Sequence, residues 1–183
     1  MNAHFLSALP DQFTTDRLLL KKTTLQDAFP LFQIWSDSAV AEYMNIEKFS
    51  SVYQAEEMIK AIAAEPDAIR YTIFSQEKVI GSFGINEVNV ANNTAEIGYE
   101  LAKNYWRKGI MTELLRYFLP LLQNKLHFSG VYAKVIPENT ASTILLKKLD
   151  FEISGEAQEW DQDNKQLSTV LIFEHNFKKA STF

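Results

Sequence analysis

Cysteine is absent from this 183-residue chain, which removes disulfides, thiolate metal ligands and any cysteine nucleophile from consideration. Histidine is scarce: His4, His127 and His175 lie far apart, without metal-ligand spacing, and read as surface or packing residues. No metal site is expected. The six glycines and five prolines are scattered, with no linker, repeat or low-complexity tract. Gly81-Ser-Phe-Gly84 falls inside a strand-like run, where it marks a bulge or close backbone approach rather than a phosphate loop. There is no G-x-S-x-G elbow, so hydrolase chemistry of that type has no support. Neither G-x-x-x-x-G-K-[ST] nor G-x-G-x-x-G is present, which disfavours a generic mononucleotide site. No stretch approaches the roughly 18 uninterrupted apolar residues of a membrane span. Met1 to Asp16 lacks the basic start and apolar run of a secretory signal, so a cytoplasmic protein is expected. Basic charge is in deficit: 18 Lys and Arg against 23 Asp and Glu give −5. That is the wrong sign for a nucleic-acid binder, and it suits a positively charged partner such as a basic peptide or polyamine.

What remains is an ordinary globular composition, 46% hydrophobic and 22% charged, of a length that suits one domain with a substantial core. Arg17 to Lys22 reads as a strand. Leu25 to Trp35 has helical spacing at Leu25, Ala28, Phe29, Phe32 and Trp35, with Pro30 near its start or marking a kink. Ser38 to Met44 reads as a short helix. Val52 to Ala64 is a better one, capped by Ser50 or Ser51 and apolar at Ala55, Met58, Ile59 and Ile62. Arg70 to Ser75 and Val79 to Val90 form a strand pair around Gln76-Glu77-Lys78, and Asn92-Asn93 turns into the strand that contains Glu96. Ile110 to Leu126 is a helix that Pro120 should kink or end. Gly130 to Val135 is a strand and Ala141 to Leu149 a helix. Glu152 to Trp160 closes as a hairpin with Leu167 to Phe177. The result is one α/β domain, 1–183 with a core over about 15–177, on a mixed sheet.

The most telling segment is Asn104-Tyr-Trp-Arg-Lys-Gly-Ile-Met-Thr-Glu-Leu-Leu115. It follows a strand and opens an apolar helix, leaving backbone N–H groups without intrahelical partners at the positive end of the helix dipole. Those donors make a seat for a phosphate or pyrophosphate. Lys108 adds a point charge, and Gly109 lets the backbone approach an anion closely. Many helices begin with a glycine and a lysine, so the turn gains meaning from its neighbours. Upstream lies Thr94-Ala-Glu-Ile-Gly-Tyr-Glu-Leu101, and downstream Pro137-Glu-Asn-Thr-Ala-Ser-Thr-Ile-Leu-Leu-Lys-Lys-Leu-Asp-Phe151.

A strand bearing a glutamate, then W-x-K-G-x-x-T-E, then N-x-x-S opening a helix that ends before a Phe resembles the GNAT superfamily of acetyl-CoA-dependent N-acetyltransferases. The Trp106 turn followed by Thr112-Glu113 resembles the branch containing the ribosomal-protein-alanine N-acetyltransferases. The resemblance covers about Thr15 to Phe177. It implies a single-domain α/β fold: a mixed, mostly antiparallel sheet with a splay between its central strands, flanked by helices. It also implies transfer of acetyl from acetyl-CoA to a primary amine, a protein N-terminus first and a polyamine or amino sugar close behind. With no cysteine available, direct attack by the amine is the default. A non-catalytic acyl-CoA-binding sensor is the alternative from another class. The partners expected are acetyl-CoA and the amine acceptor, with no metal, nucleic acid or membrane, in a monomer or homodimer. Residues near Val170 to Phe173 would allow a dimer, and core packing explains them equally well.

By the same resemblance, Arg107, Lys108, Gly109, Ile110, Met111 and Thr112 surround the coenzyme diphosphate. The superfamily favours glutamine or arginine at Trp106 and glycine or alanine at Met111. Backbone donors tolerate both departures unless the Met111 side chain intrudes. Trp106 itself reads first as a packing residue. The backbone from Tyr99 to Leu101 is the expected contact for the pantetheine amides. Alternation places Glu96, Gly98 and Glu100 on one strand face and Ala95, Ile97 and Tyr99 on the other. Glu96 is the expected general base, with Glu159, Asp161 and then Glu100 as rivals; a solvent-facing or salt-bridged glutamate is the plain alternative. Asn139 is either a helix cap or a pantetheine contact. Ser142 matches the serine that this branch can use toward the departing thiolate; the tyrosine that many superfamily members place four residues later is here Leu146, which shifts weight to Ser142 or to no acid at all. Asp150 reads as structural, aspartate tolerating a left-handed turn.

Overall fold

Segments in which apolar and polar residues alternate pair into one sheet in the computed structural model, which describes residues 5–177. Its strands are β1 (Gln12–Thr14), β2 (Leu19–Lys22), β3 (Ile69–Ser75), β4 (Lys78–Asn89), β5 (Thr94–Leu101), β6 (Gly130–Val135), β7 (Glu152–Asp161) and β8 (Gln166–Asn176). The helices are α1 (Ala28–Trp35), α2 (Ser38–Ala41), α3 (Val52–Ala64), α4 (Ile110–Leu126) and α5 (Thr140–Lys148). The strand order is β1-β2-β3-β4-β5-β6-β8-β7, antiparallel throughout except for β5 beside β6. This is the expected single α/β domain on a mixed, mostly antiparallel sheet.

The parallel pair is short. Thr94, Ala95 and Glu96 face Gly130, Val131 and Tyr132, and there the ladder stops. β5 stays paired with β4 as far as Leu101, and β6 stays paired with β8 as far as Val135. From Ile97 onward, the edge of β5 that faces β6 therefore has no strand partner.

Side chains from alternate positions serve two layers. Ala95 and Ile97 join Tyr71, Ile73, Phe83 and the buried face of α4 in the main core, where Phe118 packs edge-on to Phe83 at 4.5 Å. The opposite face meets the helices of the first half, whose own cluster centres on Leu31, Trp35 and Ala55. Val170 and Phe173 are buried, so core packing accounts for that segment.

Helices that carry their own apolar face match expectation most closely, α3 and α4 to the residue. Helix α4 runs through Pro120 without ending. Pro120 and Arg116 are both exposed, so the carbonyl left unbonded faces water rather than the core. The segment expected as one helix over Leu25 to Trp35 is a 3-10 turn, Leu25–Asp27, followed by α1 with Pro30 in its first turn. The second helix stops at Ala41, where Asp37 caps its start by accepting from Ala39 N at 2.9 Å. The 3-10 turn Phe5–Ala8 and strand β1 were not expected from the sequence. Gly81 and Gly84 mark close backbone approach: a Cβ on either would lie 2.2 Å from a carbonyl oxygen of the adjacent strand. Asp150 adopts a left-handed φ of 61°, as a structural turn residue should. Among the described residues, no helix is long and apolar enough to cross a membrane.

A clamp joins the chain start to α4. Glu113 accepts from Arg17 N (2.9 Å) and Arg17 Nε (2.6 Å) and from the Thr15 hydroxyl, while Arg17 Nη1 donates to Lys108 O at 3.0 Å. Burial raises the Glu113 pKa, but hydrogen bonds from Thr15 and Arg17 and the Arg17 charge outweigh it, leaving the carboxyl below its ordinary 4.5. A carboxyl whose folded-state pKa is depressed stabilises the fold fully above its unfolded value. That contribution is lost as pH falls through the folded value. Because Arg17 is half-exposed, solvent screening discounts the ion pair. Glu113→Gln should then cost about 1 kcal/mol near neutral pH. Urea unfolding should show that difference shrinking as pH drops below about 4.5.

Candidate active site

The turn before α4 is built for an anion by its backbone. After a 3-10 turn at Lys103–Tyr105, Arg107 takes φ 58° and Gly109 φ 72°. Gly109 caps α4, its carbonyl accepting from Glu113 N at 3.0 Å. Among the described residues, the N–H groups of Gly109, Ile110, Met111 and Thr112 donate to no backbone carbonyl. Ile110 and Met111 send their side chains into the core, so the bulk of Met111 does not intrude on these amides. Lys108 is exposed, its Nζ 5.2 Å from the centre of the Tyr105 ring. The amides fit a diphosphate. Trp106 packs against the cluster of the first-half helices and donates Nε1 to Leu101 O at 2.7 Å, the structural role expected of it. That bond occupies one side of a carbonyl in the proposed pantetheine edge.

Where β5 and β6 part, a cleft of about 600 Å³ opens, lined by Gly98 and Tyr99 from β5, Lys134 from β6, Asn139 and Ser142 from α5, and Glu159 from β7. This size suits a small-molecule or peptide-end site. Ser142 is buried in the first turn of α5, where its N–H donates to Asn139 Oδ1 at 3.1 Å. Asn139 is therefore a helix cap. The Ser142 hydroxyl lies 2.8 Å from the hydroxyl of Tyr99, whose pKa burial pushes well up, so the phenol stays neutral across the physiological range. Leu146 is fully buried in the core. Sequence reasoning used only the backbone of Tyr99. Its hydroxyl enters the cleft lining from β5, beside Ser142.

The floor of the cleft is one hydrogen-bonded chain. Trp35 Nε1 donates to Glu100 Oε1 (2.9 Å), which also accepts from Ser82 Oγ. Arg70 Nη1 reaches Glu100 Oε2 at 3.2 Å, and Arg70 Nη2 donates to Asn86 Oδ1 at 2.9 Å. Asn86 Nδ2 donates to Glu96 Oε1 at 3.0 Å. Glu96 Oε2 lies 2.9 Å from Lys134 Nζ, and Lys134 Nζ lies 2.8 Å from Glu159 Oε1. Asn86 is the extra residue of a bulge, skipped between Ile85 opposite Ile97 and Glu87 opposite Glu96. Its side chain lies over Gly98, where a Cβ would come within 2.7 Å of it. Burial pulls the Lys134 ammonium pKa down, but hydrogen bonds and charge from Glu159 and Glu96 more than reverse this and raise it.

The four candidate carboxylates thus separate. Glu100 is locked by Trp35, Ser82 and Arg70. Asp161 holds its own turn, accepting from Asn164 N (2.8 Å), Asn164 Nδ2 (2.9 Å) and Asp163 N (2.9 Å), bonds that lower its pKa. Glu96 and Glu159 converge on Lys134. Both Glu96 oxygens are engaged, whereas Glu159 Oε2 has no partner among the described residues. Glu96 is salt-bridged to Lys134 and lines the cleft. Arg17, Arg70, Asn86 and Lys134 were missed because each acts through a partner distant in sequence. The one available signal was Lys134 itself, a cation alternating onto a polar face beside the strand of Glu96.

The two described histidines, His127 and His175, do not line the cleft. His175 packs between the rings of Phe151 and Phe177, at 5.2 and 5.4 Å, and His127 closes α4. His4 lies outside the described residues. Among the described residues, no group of three His, Cys, Asp or Glu side chains could hold a metal ion.

Comparison with known proteins meets this geometry. The acetyltransferase (GNAT) domain family matches residues 17–152. The p20 protein of Bacillus licheniformis, described as an uncharacterized N-acetyltransferase, is 39% identical over 164 residues, covering 87% of this chain and 92% of its own. The ribosomal protein uS5-alanine N-acetyltransferase of Escherichia coli is 25% identical over 159 residues, covering 81% and 82%. In fold, the chain is similar to the microcin C7 self-immunity acetyltransferase solved with acetyl-CoA and AMP, with a TM-score of 0.80 at 20% identity over 94% of this chain and 99% of that one. With most of its length inside the family match and a relative of such identity, the chain belongs to the GNAT acetyltransferase family and is an acetyl-CoA-dependent N-acetyltransferase.

Proposed function

We propose that this enzyme acetylates the N-terminal amine of a polypeptide by direct attack on the thioester. The observation that carries the reading is the cleft itself, which runs between the Tyr99–Ser142 hydroxyl pair at one wall and the Glu96–Lys134–Glu159 group at another. Amides of the Arg107–Thr112 turn hold the diphosphate, and the free edge of β5 around Tyr99 and Leu101 receives the pantetheine amides, with Asn139 close by. A backbone amide on that edge polarises the thioester carbonyl.

The acceptor arrives as an ammonium and gives one proton to Glu96 or Glu159. Its nitrogen attacks the acetyl carbonyl, the C–S bond breaks as the tetrahedral centre collapses, and the nitrogen's second proton passes to the departing sulfur, directly or by way of the Ser142 hydroxyl, while the carboxylic acid returns the first proton to solvent. The departing sulfur gains a proton or a hydrogen bond from Ser142, with Tyr99 behind it. A peptide N-terminus, with an amine pKa near 8, needs less help than a lysine or polyamine amine near 10. The activity of the Escherichia coli relative on an alanine of ribosomal protein uS5 supports a polypeptide acceptor. A polyamine is the second reading, favoured by one observation: the lining carries seven carboxylates against only Arg70 and Lys134.

Thiol release from acetyl-CoA, measured with N-terminal peptides, polyamines and amino sugars, should occur with the peptides first. Tight coenzyme binding in calorimetry without release across the whole panel would instead make the protein a sensor. Tyr99→Phe removes one hydroxyl without changing the ring. It should lower kcat roughly tenfold and leave acetyl-CoA affinity intact, with Ser142→Ala costing as much or more. An unchanged kcat in both variants would remove the hydroxyl pair from the chemistry.

A further inference from the structure

Two carboxylates from different strands meet at a single ammonium inside the acceptor end of the cleft. Glu96 comes from β5 and Glu159 from β7, with Lys134 of β6 between them at 2.9 and 2.8 Å. All three side chains are half-buried or more, with exposures of 12%, 31% and 25% for Glu96, Glu159 and Lys134, so solvent screens their charges only partly. The charge of the group can be counted from its neighbours. Arg70 of β3 is matched by Glu100 of β5 and touches Glu96 only through the neutral Asn86. Tyr132, on the same strand as Lys134, donates to the exposed Glu87 of β4 and remains a neutral phenol. Asp161 is turned into its own loop. The group of three therefore carries one uncompensated negative charge.

We infer that the acceptor amine is taken up as its ammonium by this group, and that Lys134 is the positioning residue that sets the strength of that hold. The inference rests on the acetyl-transfer reading above and adds to it a residue outside the motifs of the sequence. The logic is one of charge. One net negative charge suffices to attract a monocation. Two would bind it more tightly and oppose the loss of the proton that must leave before nitrogen can attack. Lys134 keeps the count at one while fixing both carboxylates in place. None would leave the amine without an electrostatic seat, which makes Glu159 the counterpart of Lys134 with the opposite effect.

The test compares Lys134→Met, Lys134→Arg and Glu159→Gln in the full-length enzyme, using steady-state thiol release with an N-terminal alanine peptide and with spermidine as acceptors. Lys134→Met should lower the acceptor KM about tenfold, and Glu159→Gln should raise it about tenfold, with the acetyl-CoA KM unchanged in both. One charge at this range corresponds to roughly one pH unit in an ionisation. The acidic limb of the kcat profile should therefore move up by about one unit in Lys134→Met, while Lys134→Arg keeps the parent profile. A purely structural role would lower activity in both charge-changing variants without moving acceptor KM in opposite directions, and that result overturns the inference. Should Lys134→Met not fold, an unaltered acceptor KM in Glu159→Gln overturns it equally. Thiol release by the parent enzyme with unshifted variants sinks this inference alone. Absence of release from the parent with every amine sinks the acetyl-transfer reading itself.

Discussion

The parting of β5 from β6 after three residue pairs is the constraint on which the rest of the site depends. Two adjacent strands in the middle of a sheet ordinarily satisfy each other along their length, because unpaired buried backbone groups are costly. Here each strand keeps its other neighbour, β4 for one and β8 for the other, and follows that neighbour's twist. The level of the parting coincides with two bulges. Asn86 is the extra residue in β4 opposite the step from Glu96 to Ile97, and Ser154 is the extra residue in β7 opposite the step from Ile172 to Phe173. Those two β8 residues in turn face Lys134 and Ala133, immediately beyond the last parallel pair. A bulge bends its strand and raises the local twist. One in each half of the sheet, at the level where pairing ends, turns the halves away from each other.

The opening brings its own chemistry. The β5 edge beyond Glu96 presents backbone donors and acceptors to whatever enters, and the bulge that helps create the opening delivers Asn86 onto the floor. Asn86 then ties the buried Arg70–Glu100 pair to Glu96, so the most exposed end of the polar chain is anchored to its most buried end. Gly98 permits this by having no side chain where Asn86 must lie. The Arg17–Glu113 clamp fixes the turn before α4.

Most of the fold was legible because its elements carry their own signals. Helix α4 declares itself by Leu114, Leu115, Phe118 and Leu122 on one face, and β5 by strict alternation about Glu96, Gly98 and Glu100. Strand β1 was not legible: three residues hold too little pattern, and its pairing with β2 supplies the rest. The anion turn was legible because its donors are local. The acceptor end was legible only as a list of carboxylates. Alternation places Glu96 and Glu100 on one face, yet their fates differ because Trp35 and Arg70 arrive from 65 and 30 residues away to lock Glu100. Asp161 reads like Glu159 in sequence and differs only because Asn164 and Asp163 fold back onto it.

That contrast explains why a chain of this kind announces its coenzyme more clearly than its acceptor. On the proposed reading the coenzyme end would work through backbone amides, which are the same whatever side chain they carry, so Trp106 and Met111 can depart from the common pattern and pack inward. A helix start, a glycine and a strand edge are enough to specify it. The proposed acceptor end would work through side chains whose charges are defined only after partners from β3, β4, β6 and β7 have been counted. On that reading its selectivity would reside in the net charge of a group rather than in any one residue. A single substitution at a position such as Lys134 can therefore retune the acceptor while leaving every motif of the coenzyme site untouched. On that reading the sequence reveals the two functions unequally for that physical reason.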